Sequence, residues 1–199
     1  MDELIDALRA GRPVVFPTDT VYGLASLPTE EAVGALYALK GRRPEQPTSL
    51  LAARKDQLVE ALPELDPRRL LRGPFTLVLP NPARRYPWLT GARPETIGVR
   101  LPDLSPAATA VLDAVGCVAA TSANDPGGPD PLTLDDVPLR FREACPALDE
   151  GPLRGVPSTV VDLTGREPRI LREGAVPSAE AIARLQYDPG HGGRSADPR

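Results

Sequence analysis

Residues 14–24 read VVFPTDTVYGL, and the fold turns on how this stretch is taken. Val14, Val15 and Phe16 form a short β-branched and aromatic run suited to a buried strand, and Pro17 ends it. Thr18, Asp19, Thr20 and Tyr22 follow at once, and Gly23 permits a tight change of direction. A buried strand that empties into hydroxyls and one carboxylate is where an open α/β sheet places a ligand. The same residues also make an Asx or Ser/Thr turn that satisfies only local backbone groups. Taken alone, the stretch favours local capping.

Outward from it, apolar periodicity alternates between helix and strand. Residues 2–10 read as a helix with Leu4, Ile5 and Leu8 on one face and Gly11 as its stop. Thr29 caps a second helix that ends near Lys40. Strands are expected at Ser49–Ala52, Phe75–Leu79, Ile97–Leu101, Val118–Thr121, Thr159–Leu163 and Ile170–Arg172. Helices are expected at Lys55–Leu62, after Pro67, from Pro106 to Val115 behind the Ser105 cap, from Thr133 with an interruption at Pro138, and from a Ser178 cap to Leu185. Asn81–Pro94 reads as a loop anchored by Trp88. This alternation gives an α/β sheet with helices on its faces. The pair TVVDL and RIL around a turn makes a hairpin, so the sheet is expected to be mixed. One domain over residues 1–185 accounts for the elements. The remainder, 186–199, carries no apolar content to fold with and is expected to be disordered.

Composition removes several function classes. The chain has 199 residues, is 41% hydrophobic and carries a net charge of -4. It can bury a sizeable core, and no global charge draws it to nucleic acid. No apolar run approaches the roughly 20 residues of a membrane span, so no membrane association is expected. The acidic, amphipathic first residues are not a secretory signal, and a cytoplasmic protein is expected. Cys117 and Cys145 make neither a disulfide framework nor a metal spacing. The one histidine, His191, lies in the polar tail, which argues against histidine acid–base chemistry. Of 23 basic residues only Lys40 and Lys55 are lysines. That singles out Lys40, because lysine and arginine are not interchangeable at phosphate sites.

Neither a P-loop nor a dinucleotide fingerprint is present, so a nucleotide site would have to be built from side chains. Lys40 and Arg42 at a helix end, with Arg100 and Arg172 on strands, could hold a triphosphate by charge-assisted hydrogen bonds. Most of the other arginines are solvated surface groups. Arg100 and Arg172 sit in apolar strands, where a charge needs a partner or a ligand. Ser122 and Asn124 leave one strand together and can hydrogen-bond a sugar or phosphate, although a turn cap explains them equally. Ser158 opens another strand. No acidic pair has metal-ligand spacing, so any Mg2+ is expected to accompany ATP. No nucleophile elbow is present.

In order, PTDTVYGL, KGR with a following proline, GPFTLVL, TIGVRLP, TSAN, STVVD and ILREG resemble the YrdC-like threonylcarbamoyl-AMP synthase family, over about residues 1–185. The resemblance implies a twisted, open, mixed β-sheet flanked by helices around a large concave cavity. It implies formation of threonylcarbamoyl-AMP and pyrophosphate from L-threonine, bicarbonate and ATP, for threonylcarbamoyladenosine modification at tRNA position 37. Other tRNA threonylcarbamoylation proteins would be partners, and tRNA itself a weak one. Carried over by motif, Lys40, Arg42, Thr96, Ser122, Asn124 and Arg172 would bind ATP. Thr20, Arg100 and Ser158 would hold threonine, with Tyr22 lining the same cavity. No covalent catalytic residue is implied; positioning and electrostatics carry the reaction. The sequence departs from the family at Arg43, commonly proline, at Leu51, a histidine in some members, and at Asp125-Pro126, usually an apolar-Ser pair. It also stops before the C-terminal domain of longer members, so the short form is expected.

Two rival functions fit the same cavity. One is a non-catalytic module binding tRNA or double-stranded RNA, disfavoured by the acidic charge and few aromatics. The other is a related adenylating domain acting on a different carbamoyl compound, as in larger hydrogenase-maturation proteins.

Overall fold

The chain's first hairpin folds the diagnostic stretch back on itself. The structure, a computed structural model, describes residues 1–186; the expected disordered tail otherwise lies outside the described residues. Strand β1 (Val14–Pro17) pairs antiparallel with β2 (Tyr22–Ser26), with Val15 opposite Leu24 and Pro17 opposite Tyr22. Residues 14–24 are therefore not one strand followed by a turn. The polar turn is Thr18–Val21, and Gly23 lies inside the returning strand.

Six further strands complete the sheet: β3 (Ser49–Leu51), β4 (Phe75–Pro80), β5 (Thr96–Arg100), β6 (Val118–Ser122), β7 (Thr159–Asp162) and β8 (Arg169–Arg172). Their spatial order is β1-β2-β6-β3-β5-β4-β7-β8. The β3–β5 and β4–β7 pairs are parallel and the others antiparallel. The mixed, open sheet expected from sequence is present. Gly23 is needed where β2 meets β6, because a Cβ there would sit 3.0 Å from the Thr121 carbonyl oxygen.

Helices are α1 (Asp2–Arg9), α2 (Glu30–Lys40), α3 (Lys55–Ala61), α4 (Pro106–Val115), α5 (Leu139–Ala144) and α6 (Ser178–Gln186). The Thr29 hydroxyl accepts from the Ala32 amide at the start of α2, a cap worth about 1 kcal/mol. Gly41 ends α2 in the left-handed region (φ 68°), which a residue with a side chain rarely adopts. Ser105 caps α4 in the same way, with Pro106 in its first turn. Ser178 is the first residue of α6 and not its cap; its amide and hydroxyl donate to Glu173.

Strand side chains alternate between faces. On one face Val14, Phe16, Ala25, Leu51 and Val118 pack against Leu4 and Leu8 of α1 and Val111 and Leu112 of α4. On the other, Val15, Leu24, Leu50, Val99 and Leu77 join Leu36 of α2, Leu58 of α3, Phe141 of α5 and Ala181 of α6 in the larger core. The first face continues past α1 and α4 through Gly23, Ala120, Gly98, Thr76 and Val160, and there it borders a cavity. Among the described residues no helix is long and apolar enough to cross a membrane.

Candidate functional site

The cavity measures about 570 Å3. Its floor is set by strand alternation: Thr96, Gly98 and Arg100 of β5, Thr76 and Val78 of β4, Val160 of β7 and Ser158 just before it all face it. The Thr18–Val21 turn folds over one end. Thr18 Oγ1 donates to the Val21 carbonyl at 2.8 Å and accepts from the amides of Thr20 and Val21. Thr18 is therefore the local cap. Thr20 and Asp19 do something else.

Both residues meet Arg100, although β6 and β3 lie between β2 and β5 in the sheet. Arg100 Nη2 donates to Asp19 Oδ1 at 2.8 Å and to Thr20 Oγ1 at 3.2 Å. The second Asp19 oxygen accepts from the Asp103 amide at 3.2 Å. The pair is buried, with the Arg100 side chain 12% and Asp19 7% exposed. Burial pulls the Arg100 pKa below its ordinary value, Asp19 opposes that, and nearby Arg172 adds to it. Arg100 Nε is buried with no hydrogen-bond partner among the described residues. A buried donor left in that state costs about 1–3 kcal/mol, which an anionic or carbonyl oxygen would relieve.

Beside it, Arg172 donates through Nε and Nη2 to the Ser158 carbonyl at 3.2 and 2.8 Å, and through Nη2 to Ser158 Oγ at 3.3 Å. Ser158 Oγ also shares a 2.7 Å hydrogen bond with Thr76 Oγ1. Two guanidiniums and three hydroxyls (Thr20, Thr76, Ser158) thus converge on one end of the cavity. This is a donor set for a small anion carrying polar substituents.

The other end belongs to α2 and the exit of β6. Arg42 lines the cavity and is held by Thr121 Oγ1 at 3.3 Å and by the carbonyls of Gln46 and Pro47. Ser122 also lines it and donates to Asn124 Oδ1 at 2.7 Å. Thr96 faces in from β5, and its hydroxyl donates to the Arg93 carbonyl at 3.1 Å.

Seven residues singled out in the sequence therefore border one cavity: Thr20, Arg42, Thr96, Arg100, Ser122, Ser158 and Arg172. Lys40, Asn124 and Tyr22 do not line it. Lys40 and Asn124 stand immediately behind Ser122 and are bonded to each other. Tyr22 neighbours Gly23 in β2, so the two-residue period turns it to the opposite face, into the larger core. Its hydroxyl lies 3.0 Å from Asp149 Oδ1 and 2.9 Å from the Gly151 carbonyl, and accepts from the Glu150 amide at 2.9 Å. The structure corrects its expected position on the cavity wall: Tyr22 fastens the 149–151 segment.

The loop before β5 adds a cation that the sequence did not single out. Arg93 lines the cavity, with Glu95 at 3.5 Å and Asp162 at 3.8 Å from its guanidinium. The loop has no apolar period from which its position could be read. Among the described residues no aromatic side chain lines the cavity, so these residues offer no stacking surface for a base. Burial pushes the Cys117 thiol up to about 12 and the Cys145 thiol to about 11, so neither is a ready nucleophile. Among the described residues no group of three His, Cys, Asp or Glu side chains could hold a metal ion.

The family model described as Sua5, yciO, yrdC (telomere recombination) matches residues 6–174. A relative from Mycobacterium tuberculosis (strain CDC 1551 / Oshkosh) is 37% identical over 191 residues, covering 91% of this chain and 86% of that one. The threonylcarbamoyl-AMP synthase of Chromohalobacter salexigens is 34% identical over 174 residues, covering 83% of this chain and 93% of that one. Among solved structures, Pyrococcus abyssi Sua5 complexed with L-threonine matches with a TM-score of 0.79 at 34% identity. That match covers 92% of this chain and 56% of the P. abyssi chain, so the present chain spans little more than half of that protein.

Proposed function

Because the chain belongs to the Sua5/YciO/YrdC family, we propose that it is an enzyme forming threonylcarbamoyl-AMP and pyrophosphate from L-threonine, bicarbonate and ATP. The observation that carries this reading is the division of one cavity into two donor sets. Arg100, whose Nε has no partner among the described residues, faces Thr20 and Ser158 at one end. Arg42 and Ser122 stand at the other. A carboxylate with a small polar side chain suits the first, and a nucleotide suits the second.

The threonine amine and bicarbonate condense to a carbamate with loss of water. A carbamate oxygen then attacks the α-phosphorus, and pyrophosphate leaves with the electrons of the broken P–O bond. Carbamates decompose in water, so the chain's task is to hold both substrates close and dry. Arg100 takes the threonine carboxylate, and Thr20 and Ser158 orient the amino acid. Arg42 neutralises phosphate charge as it shifts toward the leaving group, and Arg172, beside Arg100, meets that charge where the two substrates join. Thr96 and Ser122 position the nucleoside. When bound, magnesium would come with the ATP phosphates and add to their charge neutralisation.

This makes the chain a nucleotidyltransferase of the cytoplasm, handing an unstable adenylate to proteins that modify adenosine 37 of tRNA. The test is pyrophosphate release from Mg-ATP in the presence of bicarbonate, with and without threonine. Threonine-dependent release, with the adenylate seen by mass spectrometry, is expected. Equal release without threonine refutes the reading.

A further inference from the structure

We infer that Lys40 is a positioning residue that braces the nucleotide end of the cavity from behind and makes no contact with phosphate. The inference rests on the nucleotide-binding reading above but is tested separately from it.

An ammonium has three N–H donors and no more. All three have protein acceptors here: the Ser122 carbonyl at 2.5 Å, the Asn124 carbonyl at 2.8 Å and Asn124 Oδ1 at 2.7 Å. Lys40 is only 4% exposed and does not line the cavity. Arg42, two residues on, does line it. The last turn of α2 therefore sends one cation into the cavity and the other into the wall.

The brace fixes more than itself. An ammonium can bond only the oxygen of the Asn124 amide, so its orientation is settled by chemistry. Oδ1 then takes a second hydrogen bond from Ser122 Oγ, and Nδ2 donates to the Gly128 carbonyl at 2.7 Å. The Ser122 hydroxyl is held in one rotamer, and the turn from Asn124 to Gly128 is closed. One buried ammonium thus holds the whole exit of β6 against α2.

This also accounts for a lysine in a chain that otherwise writes its positive charges almost entirely as arginine. Three oxygens from one short segment converge on a point. A compact ammonium on a flexible stem meets them; a planar guanidinium fork spreads its donors too widely. Burial, with the Arg42 charge nearby, lowers the Lys40 pKa to about 8.

The test measures binding of adenosine and of ATP by calorimetry to the wild type, Lys40→Met, Lys40→Arg and Arg42→Met. A brace predicts that Lys40→Met weakens adenosine and ATP by the same factor, ten-fold or more, and that Lys40→Arg does not restore either. Arg42→Met should weaken ATP far more than adenosine. A loss confined to ATP in Lys40→Met, recovery in Lys40→Arg, or unchanged binding of both ligands overturns the proposal. If the variants do not fold, the wild type still decides. With two lysines in the chain, the Nζ resonance of Lys40 can be assigned in protein carrying 15N-labelled lysine. Slow proton exchange without ligand, unchanged when ATP is added, supports the brace. Fast exchange, or a shift with ATP that adenosine does not cause, overturns it. Failure of the wild type to bind either ligand counts against the nucleotide site instead, and slow exchange in the free protein still reads the brace.

Discussion

Asp19 and Arg100 form a buried ion pair at 2.8 Å, and it is the Asp103 amide on the other carboxylate oxygen that gives the pair its direction. Asp19 is held at both oxygens, so it fixes which face of the guanidinium remains for a ligand. Its place in the turn serves Arg100 more than the turn itself.

Asp19→Asn removes the charge and keeps the shape. Arg100 would then be a buried cation without a counter-charge, and breaking such a pair costs about 3 kcal/mol. The threonine requirement should rise about ten-fold, a loss of about 1.4 kcal/mol of binding, while ATP affinity holds. Urea unfolding and separate substrate titrations measure these effects. An unchanged threonine requirement would show that Arg100 needs no such anchor.

Acidification should reproduce the variant's effect on threonine but not its effect on stability. Burial raises the Asp19 pKa above its ordinary 3.8, against the pull of Arg100. As pH falls through the raised value the folded protein takes up this proton first. For this group alone, stability increases with acidification in the window between the raised value and 3.8. Threonine affinity moves the other way, because protonated Asp19 releases Arg100. A threonine affinity that falls on the acid side in the wild type, and is flat there in Asp19→Asn, is the expected pair of profiles.

Tyr22→Phe separates a wall residue from a fastener. The phenol hydroxyl serves Asp149, Glu150 and Gly151 together. Its loss takes a shared partner from these half-exposed groups and should cost about 1 kcal/mol of stability. The threonine requirement should change less than about two-fold, well under 1 kcal/mol. Loss of threonine binding at full stability would return Tyr22 to the substrate.

Gly91→Ala tests the rim. Gly91 has φ +61°, and a Cβ there would lie 2.4 Å from the Glu45 carbonyl oxygen. The backbone must move, and the cost should exceed about 1 kcal/mol. The displaced segment carries the Gln46 and Pro47 carbonyls that hold Arg42. ATP affinity should therefore fall with the unfolding midpoint. A lower midpoint with full ATP affinity would uncouple rim and guanidinium.

Much of the scaffold was legible because its signals are local. Thr29 and Ser105 cap their helices as expected, and the apolar runs around Thr76, Gly98 and Val160 are strands. The pleat then aligned Thr96 with Arg100 on β5 and turned Thr76 and Val78 of β4 to the same cavity. The second strand of the first hairpin was missed because Tyr22-Gly23 after a polar turn reads as more turn. Gly23 is there for the close approach of β6, which no neighbouring residue announces. Tyr22 was placed on the wrong face for the same reason: parity follows the strand register, and the strand itself had not been seen. The work of Lys40 was hidden because carbonyl oxygens supply most of its partners, and every residue has one. Arg93 arrives on a loop with no period at all.

The contact between Thr20 and the segment after residue 150 has a further consequence. The Thr20 carbonyl accepts from the Gly155 amide at 2.8 Å, joining the second tenth of the chain to its last quarter. During synthesis the turn at Thr20 must wait for more than 130 further residues to emerge, up to Gly155, before it is closed over. Contacts of such long sequence separation form late and slowly. Substrates stabilise only a state that can bind them. Threonine and ATP can therefore steady the finished enzyme, but they give no shelter to the nascent one, whose half-built anion pocket depends on the chain alone.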